Sequence, residues 1–299
     1  IYFLVVIPAK AGIQVERNLL RSSSFYEGVM KKFYDVWNLK LGIRLFILLI
    51  FLTSCLLIYP SSVFAQSADE SLSLYQQGLE ALKYNRYNEA LTYFEKSLRI
   101  NRSLNNSLGI SVNLNGIGLA YDSLGQYGKA LSYHEEALKI NKQLNIPQAM
   151  RAIATNLNNI GHVYQNLGQY EKALSYHEEA LKKRKELNIP HDMAYSLYNI
   201  GNVYFFLGQH EKALSYHEES LKIRRQLNNS QDIATSLNSI GLDYFNLGQY
   251  EKALSYHEEA LKVFRHLNIP QEIDSNLNNI GGVYYFLGQY EKALIKYEE

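Results

Sequence analysis

Four histidines, His134, His177, His217 and His257, each stand directly before two glutamates. Imidazole beside carboxylate is the raw material of a metal site or of a general base. The first and last copies of the surrounding pattern argue against both, because they hold Phe94 and Tyr297 at the same place. A position that accepts Phe, His or Tyr packs a ring and does not offer a lone pair. Successive copies, about 40 residues apart, are also too distant to share one ion at ligand distances of about 2 Å. The paired glutamates, such as Glu178 and Glu179, are adjacent and so diverge on a helix. The chain has no GxSxG elbow, no HExxH, no phosphate-cradling glycine loop and one cysteine, Cys55. These residues point to no enzyme, no metal and no cofactor, and they allow no intrachain disulfide.

The histidines sit inside a run, LGQYEKALSYHEEAL from Leu167 to Leu181, that returns almost unchanged at Leu207, Leu247 and Leu287 and in near copies from Tyr84 and Leu124. Gly78, Gly118, Gly161, Gly201, Gly241 and Gly281 mark the period, which is 40 residues apart from one step of 43. Self-similarity at such a period indicates stacked units in a solenoid. Within a unit, Leu157, Ile160, Gly161, Tyr164 and Leu167 form one stripe of a 3.6-residue helix. Gly168 and its equivalents then stop the helix in left-handed geometry, with Asn85 doing so in the first unit. The second helix runs through Tyr170, Ala173, Tyr176, His177 and Ala180. It ends near Pro147, Pro190 or Pro270, which suit the first turn of the next helix; Ser230 supplies a cap instead in the fifth unit. A glycine inside a helix costs roughly 1 kcal/mol relative to alanine, so its return needs a compensating gain. Pairing with the small Ala130, Ala173, Ala213, Ala253 and Ala293 to bring two backbones together is the expected one.

Leu157, Ile160, Gly161, Tyr164, Gly168, Tyr170, Ala173 and Ala180 occupy the places of the tetratricopeptide repeat (TPR) pattern, and residues 68–299 resemble that family throughout. The long unit, with LNNIG followed by Tyr, resembles the repeats of kinesin light chains and of spindle-orienting adaptors. The resemblance implies an all-α, right-handed α-solenoid of about six helix-turn-helix units, near 71–110, 111–153, 154–193, 194–233, 234–273 and an incomplete 274–299. It also implies that the first helix of each unit lines a concave groove that binds a peptide. The groove residues would be Asn115, Asn158, Asn159, Tyr198, Asn199, Asn202, Phe205, Phe206, Asn238, Phe245, Asn278, Asn279, Tyr285 and Phe286. Carboxamides donate and accept at once, which matches the main chain of an extended segment, and the rings offer platforms. In the alternative arrangement the asparagines bond to one another between units and the rings fill gaps. Few positive charges fall at these positions, so the expected ligand is an internal, neutral segment and not a C-terminal carboxylate.

Basic and acidic residues number 30 and 29, a net charge of +1. Lys and Glu alternate along helix faces as on a solvated surface, which argues against nucleic acid as a partner and leaves a protein or peptide of unknown identity. Residues 1–29 begin with Ile and read as a leader that is not native or not translated. Met30, Lys31, Lys32, Lys40 and Arg44, then apolar Leu45 to Ile58 and YPSSVFA, form a signal peptide over 30–65 with cleavage after Ala65, hence a periplasmic or secreted protein. Membrane attachment would come only from an uncleaved segment, shorter than the roughly 20 residues a span needs, or from lipidation at Cys55. Glu299 falls inside a second helix, so continuation of the natural chain is expected. The rival reading makes these units the recognition or sensor region of a longer protein, with a histidine kinase or a caspase-like (CHAT) peptidase beyond Glu299.

Overall fold

In a computed structural model, residues 67–144 and 146–299 are described; the expected leader, the expected signal segment and Cys55 lie outside them. The chain separates into two units, 1–66 and 67–299, and every described helix belongs to the second. Among the described residues there are twelve α-helices and no strand. We number them α1 (67–83), α2 (Tyr87–Ser103), α3 (Ser107–Ser123), α4 (Tyr127–Gln143), α5 (Pro147–Asn166), α6 (Tyr170–Glu186), α7 (Pro190–Phe206), α8 (His210–Gln226), α9 (Ser230–Asn246), α10 (Tyr250–Leu267), α11 (Pro270–Phe286) and α12 (Tyr290–Glu298). Each helix packs on the next, α1 with α2, α3 with α4 and so on, and each pair on its neighbour, so the expected α-solenoid of helical hairpins is present. The hairpins begin a few residues ahead of the unit boundaries expected from the period. The single 43-residue step is absorbed by α5, which has 20 residues where α7 has 17.

Left-handed residues end both helices of a pair. Gly125, Gly168, Gly208, Gly248 and Gly288 close the first helices at φ between 70 and 72°, with Asn85 at 57° in their place in the first unit. Asn105, Asn188, Asn228 and Asn268 close second helices the same way, so the LN segment, more than the proline after it, is the stop. Both turns carry the paired bonds of a Schellman motif: Gly125 N–H to Asp122 O at 2.9 Å and Gln126 N–H to Tyr121 O at 2.8 Å. Proline opens α5, α7 and α11. The cap of α9 is Asn229, not Ser230: its Oδ1 accepts from Asp232 N–H at 3.2 Å, and Ser230 is the first helical residue.

Leucine, isoleucine and valine of each first helix, for example Leu157, Ile160 and Val163, are buried. They meet the alanines and leucine of the second helix and a leucine of the preceding unit, as Leu131 packs on Leu157 and Ile160. Burying such a side chain fully contributes about 1.5–3 kcal/mol. The repeat glycine serves a different contact from the one expected. A Cβ on Gly118 would stand 2.6 Å from the His134 ring, on Gly201 2.5 Å from His217 and on Gly78 2.5 Å from Phe94. The glycine makes room for the ring, and alanines such as Ala130 and Ala173 are ordinary buried neighbours.

Candidate functional site

The first helices α3, α5, α7, α9 and α11 carry the asparagines, and the structure bonds many of them to one another across unit boundaries. Asn115 Oδ1 accepts from His134 Nδ1 at 3.0 Å, Asn156 Nδ2 at 2.9 Å and Asn159 Nδ2 at 2.9 Å. Asn238 Oδ1 repeats the node with His257 Nδ1 at 2.9 Å, Asn276 at 2.8 Å and Asn279 at 3.0 Å. Asn199 Nδ2 donates to Asn158 Oδ1 at 2.9 Å, and both side chains are buried. Tyr198 replaces asparagine in the fourth unit, and its hydroxyl accepts from Ser239 at 3.1 Å. Of the expected asparagines, Asn278 is exposed and Asn202 half-buried; the others spend donors or acceptors on the neighbouring unit.

The expected rings separate by position. Phe206, Tyr285 and Phe286 are 55, 56 and 58% exposed, while Phe205 and Phe245 are half-buried. Phe206 stacks on Tyr170 with ring centres 5.7 Å apart and meets Phe205 edge-on at 5.8 Å. Phe286 lies 5.0 Å from Phe245, 5.7 Å from Tyr250 and 5.9 Å from Tyr285. Two exposed aromatic patches therefore sit at the C-terminal ends of α7 and α11. At the same places α3 and α5 carry a polar cluster that sequence reasoning missed: Asp122 accepts from His162 Nδ1 at 2.9 Å and from Asn166 Nδ2 at 3.0 Å.

The four histidines behave as packing rings with one exception. Burial pushes His134 down to about 4, His177 to about 3 and His257 to about 4. Their Nε2 atoms are buried without a partner, as is Nδ1 of His177. His217 differs because Asp243 stands where neighbouring units have Val163, Val203 and Val283. Its Nδ1 lies 2.6 Å from Asp243 Oδ2 and its Nε2 3.2 Å from Asn202 Oδ1. Burial raises the Asp243 carboxyl, against the opposing hydrogen bond and charge of His217 and the charge of His210. Aligning the units would have exposed Asp243 as the odd residue. Among the described residues no three His, Cys, Asp or Glu side chains gather to hold a metal ion, and no helix is long and apolar enough to cross a membrane.

With hairpins, ring-and-glycine contacts and inter-unit asparagines in place, one comparison decides the family. A sequence profile described as Tetratricopeptide repeat matches residues 85–143, 152–226 and 232–299. The chain belongs to that family. Among solved TPR-containing structures, a Rap protein complexed with competence and sporulation factor is 17% identical, with 77% of this chain and 73% of that one covered and a TM-score of 0.63. The TPR-like repeats of a putative kinesin light chain from Podosopora anserina are 17% identical over 66% of this chain and 95% of that one, with a TM-score of 0.53. A signal transduction ATPase with a tetratricopeptide repeat sensor from Pyrococcus horikoshii is 19% identical, with 78% of this chain but 36% of that one covered and a TM-score of 0.63. These similarities concern the fold. No curated protein matches the chain.

Proposed function

We propose that this TPR protein is a non-enzymatic scaffold that holds an extended, uncharged segment of a protein partner along the face formed by α3, α5, α7, α9 and α11. The observation that carries the reading is the pair of exposed aromatic patches on a face almost free of cations. Lysine and arginine are absent from α3, α7, α9 and α11, and Arg151 of α5 reaches Asp192 at 3.2 Å. Rings supply contact area at low entropic cost, and Asn202, Asn278 and the Asp122 cluster supply polar contacts in register with them. The Rap protein, a structural relative complexed with a factor, supports a ligand-holding role for such a solenoid.

Random peptides displayed on phage and selected on the immobilised protein test this. Selected peptides should be uncharged and rich in apolar residues. Phe206→Ser together with Phe286→Ser should weaken them about tenfold or more, roughly the 1–3 kcal/mol of two stacking contacts. Affinity should change little between low and moderate salt. Selection of nothing, or of peptides indifferent to both substitutions, overturns the reading.

Export through residues 30–65 is part of the proposal, and mass spectrometry of the mature N-terminus checks it: a start at Gln66 supports release, and a lipidated Cys55 replaces it with anchoring. A second reading, the sensor region of a longer protein, draws on the signal transduction ATPase whose repeats are named a sensor. Reading the gene past Glu299 separates the two, since a kinase or peptidase there makes this face the input of an effector.

A further inference from the structure

We propose that Asn202 is the specificity-determining polar contact of the aromatic half of the face, fixed by the buried His217 and Asp243 so that its amide NH2 points outward to capture a main-chain carbonyl. This deepens the scaffold reading and rests on it.

The two ring nitrogens of His217 have different partners. The His217 and Asp243 side chains are 1 and 0% exposed, and Asp243 Oδ1 has no partner among the described residues. Nδ1 lies 2.6 Å from Asp243 Oδ2, which holds the ring in place, and Nε2 lies 3.2 Å from Asn202 Oδ1. An amide oxygen only accepts, so this contact puts the donor on Nε2. That oxygen is thereby committed inward, and the Nδ2 of the same amide, which has no protein partner among the described residues, faces out.

Other groups surround the pair. From α7 the Tyr198 ring tilts against His217 at 5.3 Å, Arg224 of α8 stands 4.6 Å from the centre of that ring, and the charge of His210 on α8 favours the ionised Asp243 carboxylate, against its burial. Asn202 lies on α7 one turn before Phe205 and Phe206, so a segment whose apolar side chain rests on those rings brings an acceptor within its reach. At the equivalent place the other units offer Leu119, Leu242 and Gly282, which carry no side-chain donor, and His162, whose Nδ1 is taken up by Asp122 at 2.9 Å.

Two measurements on the whole protein test the inference. Nitrogen-15 NMR of histidine-labelled protein at neutral pH should show a proton on His217 Nε2, and Asp243→Val, a substitution copying Val203 and Val283, should abolish the hydrogen-bond signature at Nδ1. An unprotonated Nε2 in the unmodified protein overturns the lock. The second uses the phage-selected peptides as probes. Asn202→Leu, which copies Leu242, and Asn202→Asp, which keeps the shape and removes the donor, should each weaken binding about tenfold, and Asp243→Val by a smaller factor. Replacing one peptide amide by an ester at a single position, which weakens that carbonyl as an acceptor, should reproduce the loss in the unmodified protein and not in Asn202→Leu. Peptides that bind all variants equally, while still losing affinity in Phe206→Ser, overturn this inference and leave the scaffold reading standing. Failure to select any peptide overturns both.

Discussion

The third and fourth units share almost the same second helix, KALSYHEE in each, yet they put the same histidine to different uses. His177 is a buried ring with both nitrogens unpartnered, held far below the ordinary imidazole value by that burial. His217 is held between Asp243 and Asn202. Their first helices diverge in parallel: His162, Gln165 and Asn166 in α5 against Asn202, Phe205 and Phe206 in α7. The difference teaches that framework and face are separately encoded. Rings, glycines and left-handed turns repeat because every joint needs them, whereas positions one, four and five after the repeat glycine vary from unit to unit.

The broadest way to break this comparison is acid. Burial holds His134, His177 and His257 at about 4, 3 and 4, below the ordinary 6.5. Their lowered values mean the unfolded chain binds protons first. The stability they leave intact is complete above about pH 7 and is lost as pH falls through 6.5 toward 4, on the order of 3 kcal/mol for each ring. Thermal scans should show the midpoint falling steeply over that window. Changing all three to Phe, as at Phe94, should flatten the fall, and an unaltered acid profile would contradict the burial argument.

A sharper test exchanges the two rings singly. His217→Phe strands Asp243 and should cost about 3–5 kcal/mol at pH 7, while His177→Phe should change stability by about 1 kcal/mol or less. The His217→Phe deficit should shrink in acid, because a raised carboxyl is protonated in the folded state before the unfolded one. Urea unfolding at two pH values reads both. Equal costs for the two substitutions would erase the distinction between the units.

Gly201→Ala and Gly161→Ala compare the room around each ring. The added carbon would meet His217 at 2.5 Å and His177 at 2.9 Å. The first should cost about 1–3 kcal/mol and the second less, the order of the two midpoints being the measurement. The smallest effect belongs to the face itself: Phe286→Ser should alter stability by about 1 kcal/mol or less, since a ring 58% exposed loses little on removal.

The hairpins, the glycine and Asn85 stops and the ring position were legible in the sequence because each follows from local periodicity and backbone conformation. The use of the asparagines was not. A carboxamide at Asn115 or Asn158 reads the same whether its partner is a ligand or the next hairpin, and only the stacking distance between units decides. The partner of Gly118 was missed for a related reason: Ala130 and His134 both face the first helix, and the relative setting of two helices selects the ring. Asp243 was visible as an exception among valines, but its bond to His217 crosses a unit boundary.

The interlocking of one ring with one glycine gap recurs with little change from hairpin to hairpin, and this makes length an adjustable property. A cassette of about 40 residues excised or copied in frame leaves cut ends that still fit, so recombination between the near-identical stretches can shorten or extend the rod without redesigning a joint. What such an event changes is reach: each gain or loss adds or removes one first helix from the row.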